Sequence, residues 1–191
     1  MNTPTTVVTP RIRPLTEQDL GEDARALLQL PLKGHARNDI SPFLLTVVRH
    51  VGLYRYFAPF AGKLLVGGKL PARDRELAIL RGAWLCTAAY EWGEHVRIAS
   101  SVGMSAAEIE GIRQGSGHSR WNPHERAVLT ATEELHADAK ISQQTWQVLA
   151  QQYDERQLIE LPMLVGAYQM IAYVQNALQV PLPEGSVGLD A

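Results

Sequence analysis

The chain has 191 residues, 46% hydrophobic and 20% charged, with a formal net charge of −2. That length suits one ordinary domain with its own core, and the weak charge removes the electrostatic case for a nucleic-acid or anionic-membrane partner. A single cysteine excludes an intramolecular disulfide and any CxxC redox or zinc motif.

The opening, MNTPTTVVTPRIRPL, is rich in threonine and proline and reads as an extended arm over residues 1–15. It lacks the long apolar run of a secretory signal, and no later stretch reaches the roughly 20 apolar residues of a membrane span. A cytoplasmic protein is the expectation, and a lone cysteine fits a reducing compartment.

Thr16 to Asp19 offers an N-cap for a helix through Ala24, Leu27 and Leu28. Residues 31–40 (PLKGHARNDI) read as a loop. Ser41-Pro42 then caps a helix whose apolar residues, Phe43, Leu44, Val47, Val48 and Val51, recur at helical spacing. Gly52 interrupts it, and a second apolar piece from Leu53 to Leu65 ends at Gly67-Gly68. Its aromatics make it a candidate contact surface between subunits as readily as a piece of core.

Pro71 opens a helix carrying Glu76, Leu77, Leu80 and Trp84. The next is the dense run Tyr90 to Arg97. Ser105-x-x-Glu108, Asn122-Pro123-x-Glu125 and Asp154-x-x-Gln157 match the capping box, Ser142 caps a further helix, and Gly103 sits where a left-handed C-terminal residue belongs. The last helix runs from about Glu155 to Leu178, with Pro162 expected to kink or split it. No convincing strand remains. The fold class is all-α, eight or nine helices in one domain over 1–191, with its core at about 40–180.

Glu91 and His95 stand four apart on one helical face. Buried, a carboxylate beside an imidazole is a proton-transfer pair; exposed, it is a surface pair worth a few tenths of a kcal/mol. Glu76, in the charged turn Arg73-Asp74-Arg75-Glu76, reads equally as a helix-dipole partner. Cys86 reads as a buried inert thiol. No metal-ligand spacing, phosphate loop or GxSxG motif is present, so no cofactor or metal is expected.

Leu70-Pro71-x-Arg73-x-Arg75-Glu76-Leu77-Ala78-Ile79-Leu80, followed by Tyr90-Glu91-Trp92-x-x-His95-x-x-Ile98-Ala99, resembles the carboxymuconolactone decarboxylase family, which shares its helical fold with the alkylhydroperoxidase D (AhpD) proteins. The similarity continues through Glu125-Arg126-Ala127-Val128-Leu129 and Gly166-Ala167-Tyr168. In the peroxidase branch a glutamate, a CxxC and a histidine form the motif. Glu76 and His95 match its ends, but Ala88 and Glu91 fill the cysteine positions, which removes dithiol peroxide chemistry.

The resemblance implies an aromatic-catabolism lyase or isomerase, cofactor-independent, acting on a small carboxylated or lactone substrate. His95 is its expected acid–base, Glu91 orients and tunes His95, and Glu76 is the second carboxylate. Arg97 is expected to hold a substrate carboxylate, with Tyr90, Trp92 and Tyr168 as pocket walls. It also implies a homo-oligomer, trimer or hexamer, with a dimer as the alternative. The rival readings are a non-catalytic ligand-binding or assembly protein, and an oxidoreductase using Cys86.

Overall fold

The computed structural model describes residues 9–28, 40–183 and 185–189. Residues 1–8 of the expected arm and the expected loop over 31–39 lie outside that set. The described residues form nine helices and no strand, the all-α class the periodicity predicts: α1 (Glu22–Leu28), α2 (Pro42–Val47), α3 (Val51–Val66), α4 (Ala72–Leu85), α5 (Ala89–Ser101), α6 (Ala106–Gln114), α7 (Pro123–Asp138), α8 (Gln143–Leu149) and α9 (Glu155–Leu178).

α4 is the axis, packed against α5, α6, α7 and α9. A helix touched on every side must be small or apolar nearly all round, and Leu77, Ala78, Ile79, Leu80 and Ala83 are buried there. Its charged first turn is tied down. Arg73 reaches Glu108 at 2.5 Å and Glu125 at 2.8 Å, the same glutamates that close the capping boxes of α6 and α7. Glu160 of α9 accepts from the backbone N–H groups of Lys69 and Leu70, and a Cβ on Gly68 would collide with that carboxylate. These contacts fix where α4 begins.

The three predicted capping boxes and the Ser41 and Ser142 caps are formed. Gly103 takes φ 90° after α5.

Three expectations need correction. Thr16 does not start the first helix, because the Asp19 carboxylate accepts from its N–H and hydroxyl to make a closed turn, and the helix begins at Glu22. The break after α2 falls at 48–50, not at Gly52, because the His50 ring accepts from Leu53 N–H and caps α3. Of the kink or split expected at Pro162, the split does not occur, and α9 runs on as one helix. Proline removes one amide donor, and the packing of Leu161, Leu164 and Val165 into the core outweighs that loss.

Candidate active site

Three helices converge on one buried acid–imidazole pair. α4 supplies Glu76, α5 supplies Glu91 and His95, and α9 supplies Tyr168 and Gln175. All three site residues of α4 and α5 are withdrawn from water, with exposures of 0% for Glu76, 2% for Glu91 and 6% for His95. The exposed-pair reading of Glu91 and His95 is therefore excluded.

Glu76 Oε2 lies 2.7 Å from His95 Nδ1, and Glu76 Oε1 accepts from Arg75 Nε at 2.8 Å. Burial works to raise the Glu76 pKa, but the His95 and Arg75 contacts outweigh it and hold the carboxyl below its ordinary range. An ionised carboxylate on Nδ1 requires the proton there, so Nε2 is the nitrogen left for chemistry. The Tyr168 ring stands edge-on to the imidazole, centroids 5.0 Å apart, and limits its rotation.

Here one expected role moves. Sequence spacing makes Glu91 the residue that orients His95. In the structure Glu76 does that, from another helix. Neither Glu91 oxygen has a hydrogen-bond partner, although both are buried. With nothing to offset desolvation, burial pushes the Glu91 carboxyl well above its ordinary pKa and favours its neutral form.

A cavity of about 120 Å³ opens onto both groups. Its walls come from Phe43 and Leu44 of α2, Phe57, Ala61 and Leu65 of α3, and Ile98 and Ile171 further along. Tyr90, Glu91, His95, Tyr168 and Gln175 bring polar atoms to it. Tyr90, its phenol pushed up to about 12 chiefly by burial, accepts from Phe43 N–H at 3.4 Å and pins α2 to α5.

Two expected residues lie elsewhere. Arg97 points to solvent, its side chain 68% exposed, and meets only Glu94 at 3.6 Å. A two-residue offset turns Arg97 about 200° around the helix from His95. Trp92 is buried on the far side of α5, 5.4 Å from the Trp84 ring and under the Arg113 guanidinium, outside the cavity lining. It is core. Behind it, Gly93 lies against Ser186 and the Val187 carbonyl, where a Cβ would collide.

Sequence reasoning missed Arg75, Gln175 and the α3 wall. Gln175 had a signal: it is a polar residue one further turn along the buried row Tyr168, Ile171, Ala172. Cys86 sits half-buried at the end of α4, 3.8 Å from His136 Nδ1 and outside the cavity lining. Burial first, then the nearby Glu91 when charged, pushes its thiol up to about 11, so almost none is thiolate at neutral pH.

α4 carries a second acid–imidazole contact. Asp74 Oδ2 meets His124 Nε2 at 2.9 Å and accepts from Tyr153 O–H at 2.6 Å, with the Tyr153 ring edge-on to the imidazole at 4.8 Å. Its residues line none of the described cavities. Among the described residues no group of three or more His, Cys, Asp or Glu side chains could hold a metal, and no helix is long and apolar enough to cross a membrane.

Residues 52–134 match the carboxymuconolactone decarboxylase family. That segment spans α3 to most of α7 and so includes Glu76, Glu91 and His95, as the motif resemblance implies. No curated protein sequence matches significantly. Among solved structures, a peroxidase-related protein from Ralstonia eutropha with an alkylhydroperoxidase AhpD core superposes with a TM-score of 0.73 at 14% identity, over 93% of this chain and 95% of that one. The debrominase Bmp8, solved with 2,3,4-tribromopyrrole as a cysteine-to-alanine variant, gives 0.71 at 17% identity, over 96% and 94%. A protein of unknown function from Agrobacterium tumefaciens gives 0.66 at 15%, over 72% and 95%. At these identities they establish an AhpD-like helical fold and no substrate.

Proposed function

We propose that this carboxymuconolactone decarboxylase-like chain is a cofactor-independent lyase or isomerase that moves protons on a small carbon acid. One observation carries the reading. His95, held from behind by Glu76, and the partnerless Glu91 line the same cavity. An oriented imidazole beside a carboxyl that burial favours in its neutral form supplies a base and a donor to one substrate.

His95 Nε2 takes a proton from carbon next to a carbonyl, and the bonding pair moves onto the carbonyl oxygen as an enolate. The Glu91 O–H faces that oxygen and stabilises it by a hydrogen bond. Returning the proton from the imidazolium to a different carbon completes an isomerisation. Where a carboxylate is the group lost, the C–C bond breaks instead, CO2 leaves with the enolate behind, and a protonated His95 supplies the proton to carbon. Glu76 stays ionised throughout and keeps the imidazole in place.

The test is a screen of small lactones, cyclic ketones and β-keto acids for isomerisation or CO2 release. An active compound should lose about 10²- to 10⁴-fold in kcat with His95→Ala. An unchanged rate in that variant would overturn the assignment. Ligand binding without turnover across the screen would favour the rival, a non-catalytic binding protein.

A further inference from the structure

The cavity's dimensions and the charges around it narrow its ligand, on the basis of the site assignment above. Its volume of about 120 Å³ is of the order of the roughly 150 Å³ apolar cavity known to hold benzene. One six-membered ring fills it. The walls from Phe43, Phe57, Leu65 and Ile171 are apolar, and ring burial is favoured there by roughly 25 cal/mol per Å².

The charge around it is one-sided. No lysine or arginine is among the described lining residues, whereas Glu91 and Glu94 are, and Glu76 stands behind His95. Arg97 faces solvent and Arg75 is committed to Glu76. A ligand carboxylate would therefore lose its water, face several carboxyl groups and find no guanidinium or ammonium among the described residues to meet it. Burying a charge unpaired is far more costly than burying a neutral carbonyl.

Two buried polar groups await partners. They are the Glu91 carboxyl and the Gln175 side-chain carbonyl oxygen, both without a hydrogen bond and both lining this cavity. Such groups are uncommon in native proteins and costly to leave unmet. One offers a donor and the other an acceptor.

We propose that the cavity takes an uncharged single-ring carbonyl compound, a lactone or cyclic ketone, whose oxygen accepts from the Glu91 carboxyl and whose donor group, where present, binds Gln175. The carboxylated half of the expected substrate class is thereby set aside, and with it any need for an arginine in the site. Specificity resides in the refusal of anions as much as in the welcome of a ring.

Calorimetric or ligand-observed NMR titration at pH 7 tests this with cyclohexanone and cyclohexanecarboxylate, which share a ring and differ in charge. Cyclohexanone should bind at least about ten-fold more tightly. Glu91→Leu should weaken cyclohexanone about three- to ten-fold, while Glu91→Gln, which keeps an N–H donor, stays within about two-fold of wild type. Equal or tighter binding of the carboxylate, no saturable cyclohexanone binding up to about 10 mM, or an unchanged affinity in Glu91→Leu would each overturn the proposal. The wild-type comparison needs no variant to fold. His95→Ala should retain the preference for the ketone, so a failure of the catalytic assignment leaves this result standing and readable.

Discussion

At the scale of single residues, Glu91 and Glu76 are opposed carboxyls on adjoining helices. Glu76 is fully buried yet ionised, because His95 and Arg75 outweigh its desolvation. Glu91 is as deeply buried with no partner, and stays protonated.

Their contributions to stability have opposite signs. Glu76, with a folded pKa below its unfolded one, stabilises above the ordinary carboxylate range, and that gain is lost as pH falls through the folded value. Glu91, with a folded pKa above its unfolded one, keeps a proton that the unfolded chain releases. Stability therefore drops as pH climbs from the ordinary carboxylate range, by up to about 1.4 kcal/mol per pH unit, until the folded value is passed. Glu91→Gln should thus gain stability over wild type by an amount that grows between pH 5 and pH 8, measured by urea unfolding at several pH values. A pH-independent difference would contradict a protonated Glu91.

The sequence shows these residues without showing their geometry. Spacing pairs Glu91 with His95, because four residues make one helical turn. That Glu76 reaches the imidazole from another helix depends on how α4 and α5 pack, which no local pattern encodes. In the sequence only the family motif links Glu76 with His95. Arg97 is the complementary case: the motif shows its position, whereas its side of the helix depends on which face of α5 packs inward.

At the scale of elements, boundaries written in caps were legible and those decided by packing were not. Ser41, Ser105, Asn122, Ser142 and Asp154 each mark a helix start through a side-chain oxygen on a backbone N–H. The His50 cap was illegible because histidine rarely serves there, so a glycine drew the boundary to itself. α5 shows how tightly the site helix is held from behind, where Gly93 touches the segment at Ser186 and Val187. Gly93→Ala gains about 1 kcal/mol in helix propensity but places a methyl against a backbone carbonyl. The variant should lose about 1–2 kcal/mol net, and cleavage by protease near residues 185–189 should quicken. A more stable variant would show that the segment moves aside freely.

At the scale of the whole molecule, two rows of apolar side chains reach the surface. Leu53, Tyr56 and Phe60 form the outer row of α3, the stretch expected as a contact surface. Ile159, Met163, Met170 and Tyr173 form a row on α9. The α9 row is spaced four, seven and three residues apart about Gly166, where nothing lies within 4 Å of a Cβ position. Under a two-fold axis through that glycine the row would be self-complementary, Met163 facing the Met170 position and Ile159 the Tyr173 position of a second copy. The homo-oligomer that the family resemblance implies should therefore pair α9 with α9. Light scattering should give a multiple of 21.1 kDa, reduced by Met163→Lys with Met170→Lys. A wild-type mass of one chain would reject self-association.

The two histidines that pair with carboxylates of α4 bear on which wall of the cavity is fixed. Asp74 and Glu76, two residues apart, project to nearly opposite sides of the helix, and each is fastened to an imidazole on a different neighbour, His124 on α7 and His95 on α5. α4 is thus keyed like a shaft held by two opposed pins. A turn of one residue would shear both at once, so the wall of α4 and α5 is the fixed jaw of the site. The opposite wall, α2 and α3, covers the cavity with the apolar side chains Phe43, Leu44, Phe57 and Leu65 and is tied to α5 through the Phe43 N–H to Tyr90 contact, so any opening of the site should occur on that side. Apolar contacts slide where charged hydrogen bonds do not.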